Sequence, residues 1–385
     1  MGEQTIFADL HIHIGRTKTA KQVKIAASGH MTISAVLKEA STRKGLDMIG
    51  VIDCHVPEVL AELKQLIREG RAESLSGGGI RYGRTTLILG TEMEIWDESC
   101  RGPIHVLCYL PTLEVMTRFS TWMSKYQKNM TLSSQRSYVS MRELQQEVRA
   151  LEGLFVPAHV FTPYKSVYGR GVETFMGEVM DLELVDGIEL GLSSDSNMAD
   201  QLPELHSFTF LTNSDAHSLP KIGREYQQLQ VNEADFAHLK KALRREDNQR
   251  VIANYGLDPK LGKYHREVSQ RLHQLAAGQQ SAILNSPAPG TTGDHPPHRP
   301  PYIYQVPLEF IPGLGPKRLQ KLINVFGSEM NVIHYASIDQ LQQWIPTEVA
   351  NMIVQARAGQ AAIVSGGGGR YGKVSYTGEE AHRIE

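Results

Sequence analysis

Two histidines two residues apart, His11 and His13, lie in the apolar run Ala8-Asp9-Leu10-His11-Ile12-His13-Ile14-Gly15 near the start of the chain. Alternate residues of an extended segment share a face, so the two imidazoles point the same way. Neutral imidazoles a few ångströms apart suit one metal ion. Two polar residues on a solvated strand face would have the same spacing. The ends of the other apolar runs favour the metal. Asp53-Cys54-His55 follows Val51-Ile52, and Thr91-Glu92-Met93-Glu94 follows Leu87-Ile88-Leu89-Gly90. His105 sits inside Ile104-His105-Val106-Leu107, His159 follows Phe155-Val156-Pro157-Ala158, and Asp215-Ala216-His217 follows Phe210-Leu211-Thr212-Asn213-Ser214. Each alone reads as an ordinary polar residue at a strand end, and His105 as a core histidine. Together they form a His/Asp/Glu set suited to two or three borderline cations such as zinc, manganese or iron.

Something must bring these residues to one place. Across residues 1–250 short apolar runs alternate with helical patterns such as Pro57-Glu58-Val59-Leu60-Ala61-Glu62-Leu63-Lys64-Gln65-Leu66-Ile67. There Pro57 suits a first helical turn and Val59, Leu60, Leu63, Leu66 and Ile67 recur at helical spacing. Alternation of this kind predicts an α/β domain with a largely parallel sheet or barrel, whose strand C-termini converge on one face. Residues 281–301, "SAILNSPAPGTTGDHPPHRPP", read as a linker, with His295 and His298 as solvated linker residues. A smaller, mainly helical domain follows. The 385 residues are 41% hydrophobic and 21% charged with a net charge of −2, which fits a soluble globular protein with no global basic field. No run approaches a membrane span and no secretory leader is expected. Three scattered cysteines, Cys54, Cys100 and Cys108, exclude a disulfide framework and predict a reducing, cytoplasmic home.

A second motif is Phe310-Ile311-Pro312-Gly313-Leu314-Gly315-Pro316-Lys317-Arg318. Its glycines predict a tight turn and Pro316 a helix start, with Leu319, Leu322, Ile323 and Phe326 on one apolar face. Backbone N–H groups at such a start can hold a phosphate, reinforced by Lys317 and Arg318. The pattern resembles a helix-hairpin-helix element, which grips the DNA backbone without reading sequence. Ile345-Pro346-Thr347-Glu348-Val349-Ala350 is a candidate degenerate second copy. The plain alternative is a helical hairpin with glycines for turning. Residues 76–84, "SGGGIRYGR", are echoed by 365–373, "SGGGGRYGK". Arg81 and Arg370 there are candidate backbone contacts; the first loop reads equally as only the turn feeding the strand of Glu92.

The series "DLHIH", "DCH", "TEME", "PIH", "PAH" and "NSDAH" closely resembles the PHP (polymerase and histidinol phosphatase) phosphoesterases. With the helix-hairpin-helix region, Gly191-Leu192-Ser193-Ser194-Asp195 and "NYGLDPKLGKYH" (254–265), the chain resembles more narrowly the endonuclease Q family. The resemblance implies an α/β fold: a distorted seven-stranded β/α barrel (1–250), a connecting segment and linker (251–301), and a helix-hairpin-helix region with a glycine-rich loop (302–385). It implies that His11, His13, Glu92 and Asp215 hold one ion, that Glu92, His105 and His159 hold a second, and that His55 and His217 serve a third. The histidine that many relatives carry after the HxH pair is replaced by Thr19, so Asp53 or a water would have to complete that site. Glu94 is expected to face away from Glu92. Asp215, Glu92 and His217 would be catalytic, zinc the first candidate metal, and manganese, iron or magnesium the others.

The implied reaction is metal-assisted hydrolysis, in which clustered cations lower the pKa of a water and neutralise the phosphoryl oxygens. The family nicks DNA 5′ to deaminated bases (uracil, hypoxanthine, xanthine) and abasic sites, leaving 3′-hydroxyl and 5′-phosphate ends. Lesion-containing DNA, double- or single-stranded, is therefore the expected partner, and no membrane. Ser193 and Ser194 are candidates for the wall of a base pocket. Phe161, Tyr164 and Tyr168 are candidates for stacking, or else ordinary packing, and Lys221 and Arg224 for holding a phosphate. Many relatives carry a four-cysteine zinc module after "GKYH", where this chain has "REVSQRLHQLAAGQQ" and no cysteine. Two other functions stay open: a phosphatase for a small phosphomonoester, and a non-catalytic DNA-binding protein with a relic barrel.

Overall fold

The computed structural model describes residues 2–284, 296–359, 362–364, 370 and 373–375. The apolar runs form β1 (Gln4–Ile12), β2 (Met48–Val51), β3 (Thr85–Ile95), β4 (Ile104–Leu110), β5 (Leu154–Pro157), β6 (Ile188–Glu189), β7 (Phe210–Leu211), β8 (Tyr226–Val231), β9 (Arg250–Gly256) and β10 (Tyr302–Tyr304). The main sheet runs β10-β9-β8-β1-β2-β3-β4-β5, and three short strands, Glu73–Ser74, Ile80–Tyr82 and Arg136–Ser137, bring it to eleven. β6 and β7 pair separately and in parallel. The β1–β2, β2–β3 and β9–β10 pairs are parallel, whereas β1–β8, β8–β9, β3–β4 and β4–β5 are antiparallel.

The sheet is thus mixed where a largely parallel one was expected. An apolar run looks the same in either direction, and the short connection 96–103 between β3 and β4 leaves no room for the crossover that a parallel pair needs. The ladders do not close into a barrel. Single hydrogen bonds bridge the gaps instead: Asp186 N–H to the Phe155 carbonyl at 2.9 Å, Val160 N–H to the Glu189 carbonyl at 2.9 Å, and the Asn254 side-chain amide to the Phe210 carbonyl at 3.1 Å. Even so, the strands enclose a common core. Ile6, Leu10, Met48, Ile88, Leu107, Leu154, Val156, Leu211, Leu229 and Val251 pack in one buried cluster. Gly50 lets β2 approach the irregular end of β1, since a Cβ there would lie 2.3 Å from the Leu10 carbonyl oxygen.

The cysteine-free stretch after residue 264 forms helix α1 (His265–Leu284). Arg271 fastens it by donating to the carbonyls of Tyr168, Val172 and Glu173. Of the stretch read as a linker, 281–284 continue α1, 285–295 lie outside the described residues, and Arg299 is fastened by pairing with buried Asp200 at 2.8 Å. Helices α2 (Pro316–Phe326), α3 (Glu329–His334) and α4 (Thr347–Arg357) enclose a second core of Leu319, Leu322, Val332, Ile345, Val349 and Ile353. His334 docks this region onto the sheet. It stacks on Phe7 at 4.3 Å and shares a 2.7 Å hydrogen bond with the Tyr226 hydroxyl. The three cysteines are buried and unpaired. Among the described residues no helix is long and apolar enough to cross a membrane.

Candidate metal centre

His11 and His13 lie at the end of β1 with ring centroids 5.3 Å apart. Each ring is fixed through Nδ1. That of His11 donates to Glu189 at 2.9 Å, and that of His13 approaches Asp53 at 3.2 Å. Such pairing behind a ligand sets the tautomer and aims the other nitrogen. The aimed atoms converge. His11 Nε2 is 3.7 Å from Glu92 Oε1 and 3.4 Å from Asp215 Oδ1, while His13 Nε2 is 3.5 Å from Glu92 Oε2 and 3.6 Å from Asp215 Oδ1. Both Nε2 atoms are buried without a hydrogen-bond partner.

Glu92, near the end of β3, is the hub. Its Oε1 meets His105 Nδ1 at 2.8 Å and His159 Nε2 at 3.3 Å, and its Oε2 accepts from Lys24 Nζ at 2.9 Å and from the Ser134 hydroxyl. His159 and Asp215 both have positive φ, at 31° and 45°, which is uncommon for residues with a Cβ and marks backbone held out of its usual basins for a purpose. Three ligand groups result: His11, His13 and Glu92; Glu92, His105 and His159; and His13, Asp215 and His217.

The electrostatics favour added cations. Asp53, Glu92 and Glu189 are buried and Asp215 is partly so, and Lys24 is the fixed cation bonded among them. Burial alone would disfavour charge on Asp215, but His11, His217 and His13 outweigh it and hold the carboxyl down at about 2. Burial likewise opposes a charged His11, yet Glu189, Asp215 and Glu92 push it up to about 10, so the nest holds a proton on Nε2 that a bound ion would displace. A nest this rich in carboxylate calls for positive charge, and its unpartnered imidazole nitrogens are the donors that a borderline divalent ion takes. The residues present therefore fit a metal centre.

Several expected residues play other parts. Asp53 is not in a ligand group; it accepts from Ile14 N–H at 2.5 Å and from the Ser133 hydroxyl, and backs His13. His55 also stays outside the groups, with Nδ1 2.7 Å from the Thr91 hydroxyl. Glu94 faces the same way as Glu92, since residues two apart on a strand share a face, and lies 3.2 Å from His105 Nε2. Tyr168 is buried, stacks on Phe161 and donates to Glu204 at 2.8 Å, so it cannot stack on a base. Tyr164 is exposed. Arg81 donates to the carbonyls of Arg84 and Ala234 beside the start of β3, away from Glu92.

A cavity of about 360 Å³ opens beside Asp215 and His217 and is lined also by Ser193, Lys221, Arg224, Lys263 and Tyr264. Ser194 is buried beneath it, donating to the Leu190 carbonyl at 2.6 Å. Arg224 donates to the Ser214 carbonyl at 2.7 Å, and Lys221 reaches Glu309 at 2.5 Å and lies over the Phe310 ring. In the helical region Gly313 has φ +79° and Gly315 caps α2, with Lys317 exposed and Arg318 folded back on the Gly313 carbonyl at 2.6 Å. Arg370 is exposed, and its neighbours in the glycine-rich loop lie outside the described residues. Two central residues were absent from the expectations. Glu189 ends a short apolar run as the other carboxylates do, which was a usable signal. Lys24 carries no such signal.

No protein-family model matches the chain. It is 48% identical over 382 residues to YqxK, an uncharacterized protein of Bacillus subtilis (strain 168), across 96% of this chain and 99% of that one. A structure of a lesion-specific endonuclease, PfuEndoQ from Pyrococcus furiosus, superposes with a TM-score of 0.80 at 27% identity, covering 99% of this chain and 100% of that one. A structure of Endonuclease Q in complex with a 27-mer duplex substrate, an abasic lesion at the active site, matches with a TM-score of 0.80 at 27% identity, covering 98% of each chain.

Proposed function

The chain belongs to the endonuclease Q family, and from that premise we propose that it is a metal-dependent endonuclease that nicks DNA 5′ to deaminated bases and abasic sites. One observation carries the reading. The unpartnered Nε2 atoms of His11 and His13 are aimed at Glu92 and Asp215, in a chain that aligns over its length with an endonuclease solved on an abasic duplex. In this reading residues 1–250 supply most of a PHP-type sheet that β9 and β10 complete, the rest of 251–301 connects, with α1 in the place of the zinc module, and the remainder of 302–385 is a helix-hairpin-helix region.

His11, His13, Glu92 and Asp215 would hold one ion, Glu92, His105 and His159 a second, and His217 would extend the set beside Asp215. Bound divalent ions would supply a nucleophilic water at neutral pH and neutralise charge on the phosphoryl oxygens. Glu189 and Asp53 keep the two imidazoles oriented. Lys221 and Arg224 border the cavity and would hold a phosphate oxygen, Arg224 while fixing the carbonyl that precedes Asp215. The lesion nucleotide, which costs less to extrude than a paired base, would enter the cavity past Ser193. Gly313, Gly315 and Lys317 at the start of α2 would hold the duplex backbone at a distance from the nick.

The ends of the product test this. After incubation of an abasic or uracil duplex with manganese, the nicked strand should be extended directly by a DNA polymerase, as a free 3′-hydroxyl requires. A 3′ end that blocks extension, or turnover of small phosphomonoesters with the duplex left intact, would overturn the reading.

A further inference from the structure

Lys24 is placed where surface lysines are not. Its side chain is 14% exposed, and Nζ donates to Glu92 Oε2 at 2.9 Å and to the Ser134 hydroxyl. Glu92, Asp53 and Asp215 all act on it electrostatically. Two segments bring it there and close that side of the centre. Lys24 N–H donates to the Ile14 carbonyl at 3.1 Å, and Ser133 N–H donates to the Val23 carbonyl at 2.9 Å. The Ser133 and Ser134 hydroxyls then donate to Asp53 and Glu92.

Two of the positions expected at a third ion are meanwhile held apart from the ligand groups. The Thr19 hydroxyl lies 3.0 Å from that of Thr17 and donates to Glu58 at 3.2 Å, in an exposed loop. His55 is buried with Nδ1 against the Thr91 hydroxyl and Nε2 without a partner, and joins no ligand group among the described residues. His217 does reach the centre, in company with His13 and Asp215.

We propose that Lys24 is a built-in cation of the centre, supplying through Nζ the positive charge that a third metal ion would bring, so that the chain binds two ions. The inference rests on the metal-centre reading above and is tested by metal binding, which does not require DNA cleavage. An ammonium beside Glu92 repels a divalent ion held by the same carboxylate. Its removal should therefore tighten metal binding even while it weakens the enzyme, a sign that a merely structural lysine would not give.

The experiment compares wild type, Lys24→Met and Lys24→Arg. Each is stripped with chelator, titrated with zinc against a fluorescent competitor, and analysed for zinc per chain after desalting. Circular dichroism verifies the fold of each. Wild type should bind two zinc ions per chain. Lys24→Met should bind zinc about tenfold more tightly, or take up a third ion, because a unit charge a few ångströms away has gone. Lys24→Arg, which keeps the charge, should bind as wild type does. Three ions in wild type, or equal affinity in wild type and folded Lys24→Met, would overturn the proposal. Binding as predicted without any nicking of lesion DNA would uphold it and defeat the proposed substrate instead.

Discussion

The metal centre and the helical region meet different demands. At the centre, His11, His13 and His159 each keep a buried ring nitrogen without a partner, and His159 and Asp215 hold positive φ. Those features oppose stability, and the Nε2 atoms of His11 and His13, aimed at Glu92 and Asp215, suit a bound cation. The helical region meets most of its demands locally, with Arg357 Nε an exception. Ser328 caps α3, Ser337 forms a capping box with Gln340, and the apolar faces of α2 and α4 bury one another. No ligand group falls within it among the described residues. Chemistry is therefore read from unmet demands at the centre. The phosphate grip proposed for the helical region rests instead on the backbone turn at the start of α2.

This contrast can be broken most sharply at the ligands. Asp215→Asn should lower the nicking rate by more than the roughly 10–100-fold that loss of a group behind a ligand costs. Its zinc content per chain should fall, as measured after desalting. Glu189→Gln removes the acceptor behind His11 and should cost about 10–100-fold in metal affinity or nicking, with the fold retained by circular dichroism. If Glu189→Gln matched wild type, the orientation of His11 would not matter and the account of the centre would weaken.

The helical region should answer in another currency. Lys317→Ala should weaken duplex binding to lesion and matched DNA alike, and reduce the salt slope of log K by roughly 1, leaving metal content unchanged. A loss confined to lesion DNA would place Lys317 in recognition and not in backbone grip.

The smallest effect is on the joint between the two regions. Burial, with help from Arg357, pushes His334 down to about 4. Because that folded value lies below the unfolded value of about 6.5, protonation favours the unfolded chain. The contribution of His334 is present above pH 6.5 and is lost as pH falls toward 4. Thermal melts should therefore drop by a few degrees across that interval, and His334→Asn should flatten the drop. An unchanged pH profile would mean that the docking does not depend on the neutral ring.

How much of this the sequence disclosed follows from how local each signal is. The spacing of His11 and His13, and the carboxylates and histidines that end apolar runs, are local, and they led to the residues that converge. Lys24 reaches Glu92, and Glu189 reaches His11, across long separations that no periodicity encodes. Strand direction was equally hidden, because apolar runs do not record which neighbour they pair with. Tyr168 was proposed for stacking on its position after His159, but burial against Phe161 and Glu204 decides its role. The start of α2 was legible because glycine, proline and an apolar face act within a few residues.

The most direct test measures bound metal and nicking in the same samples. Chelator-stripped protein would be reloaded with increasing manganese or zinc and assayed on end-labelled duplexes carrying an abasic site, a uracil or a normal base. The account predicts a single nick immediately 5′ to the lesion, rising with occupancy of the centre, absent from matched DNA and lost in Asp215→Asn. Nicking that is independent of bound metal, or a fully loaded centre that leaves every lesion duplex intact, would contradict it.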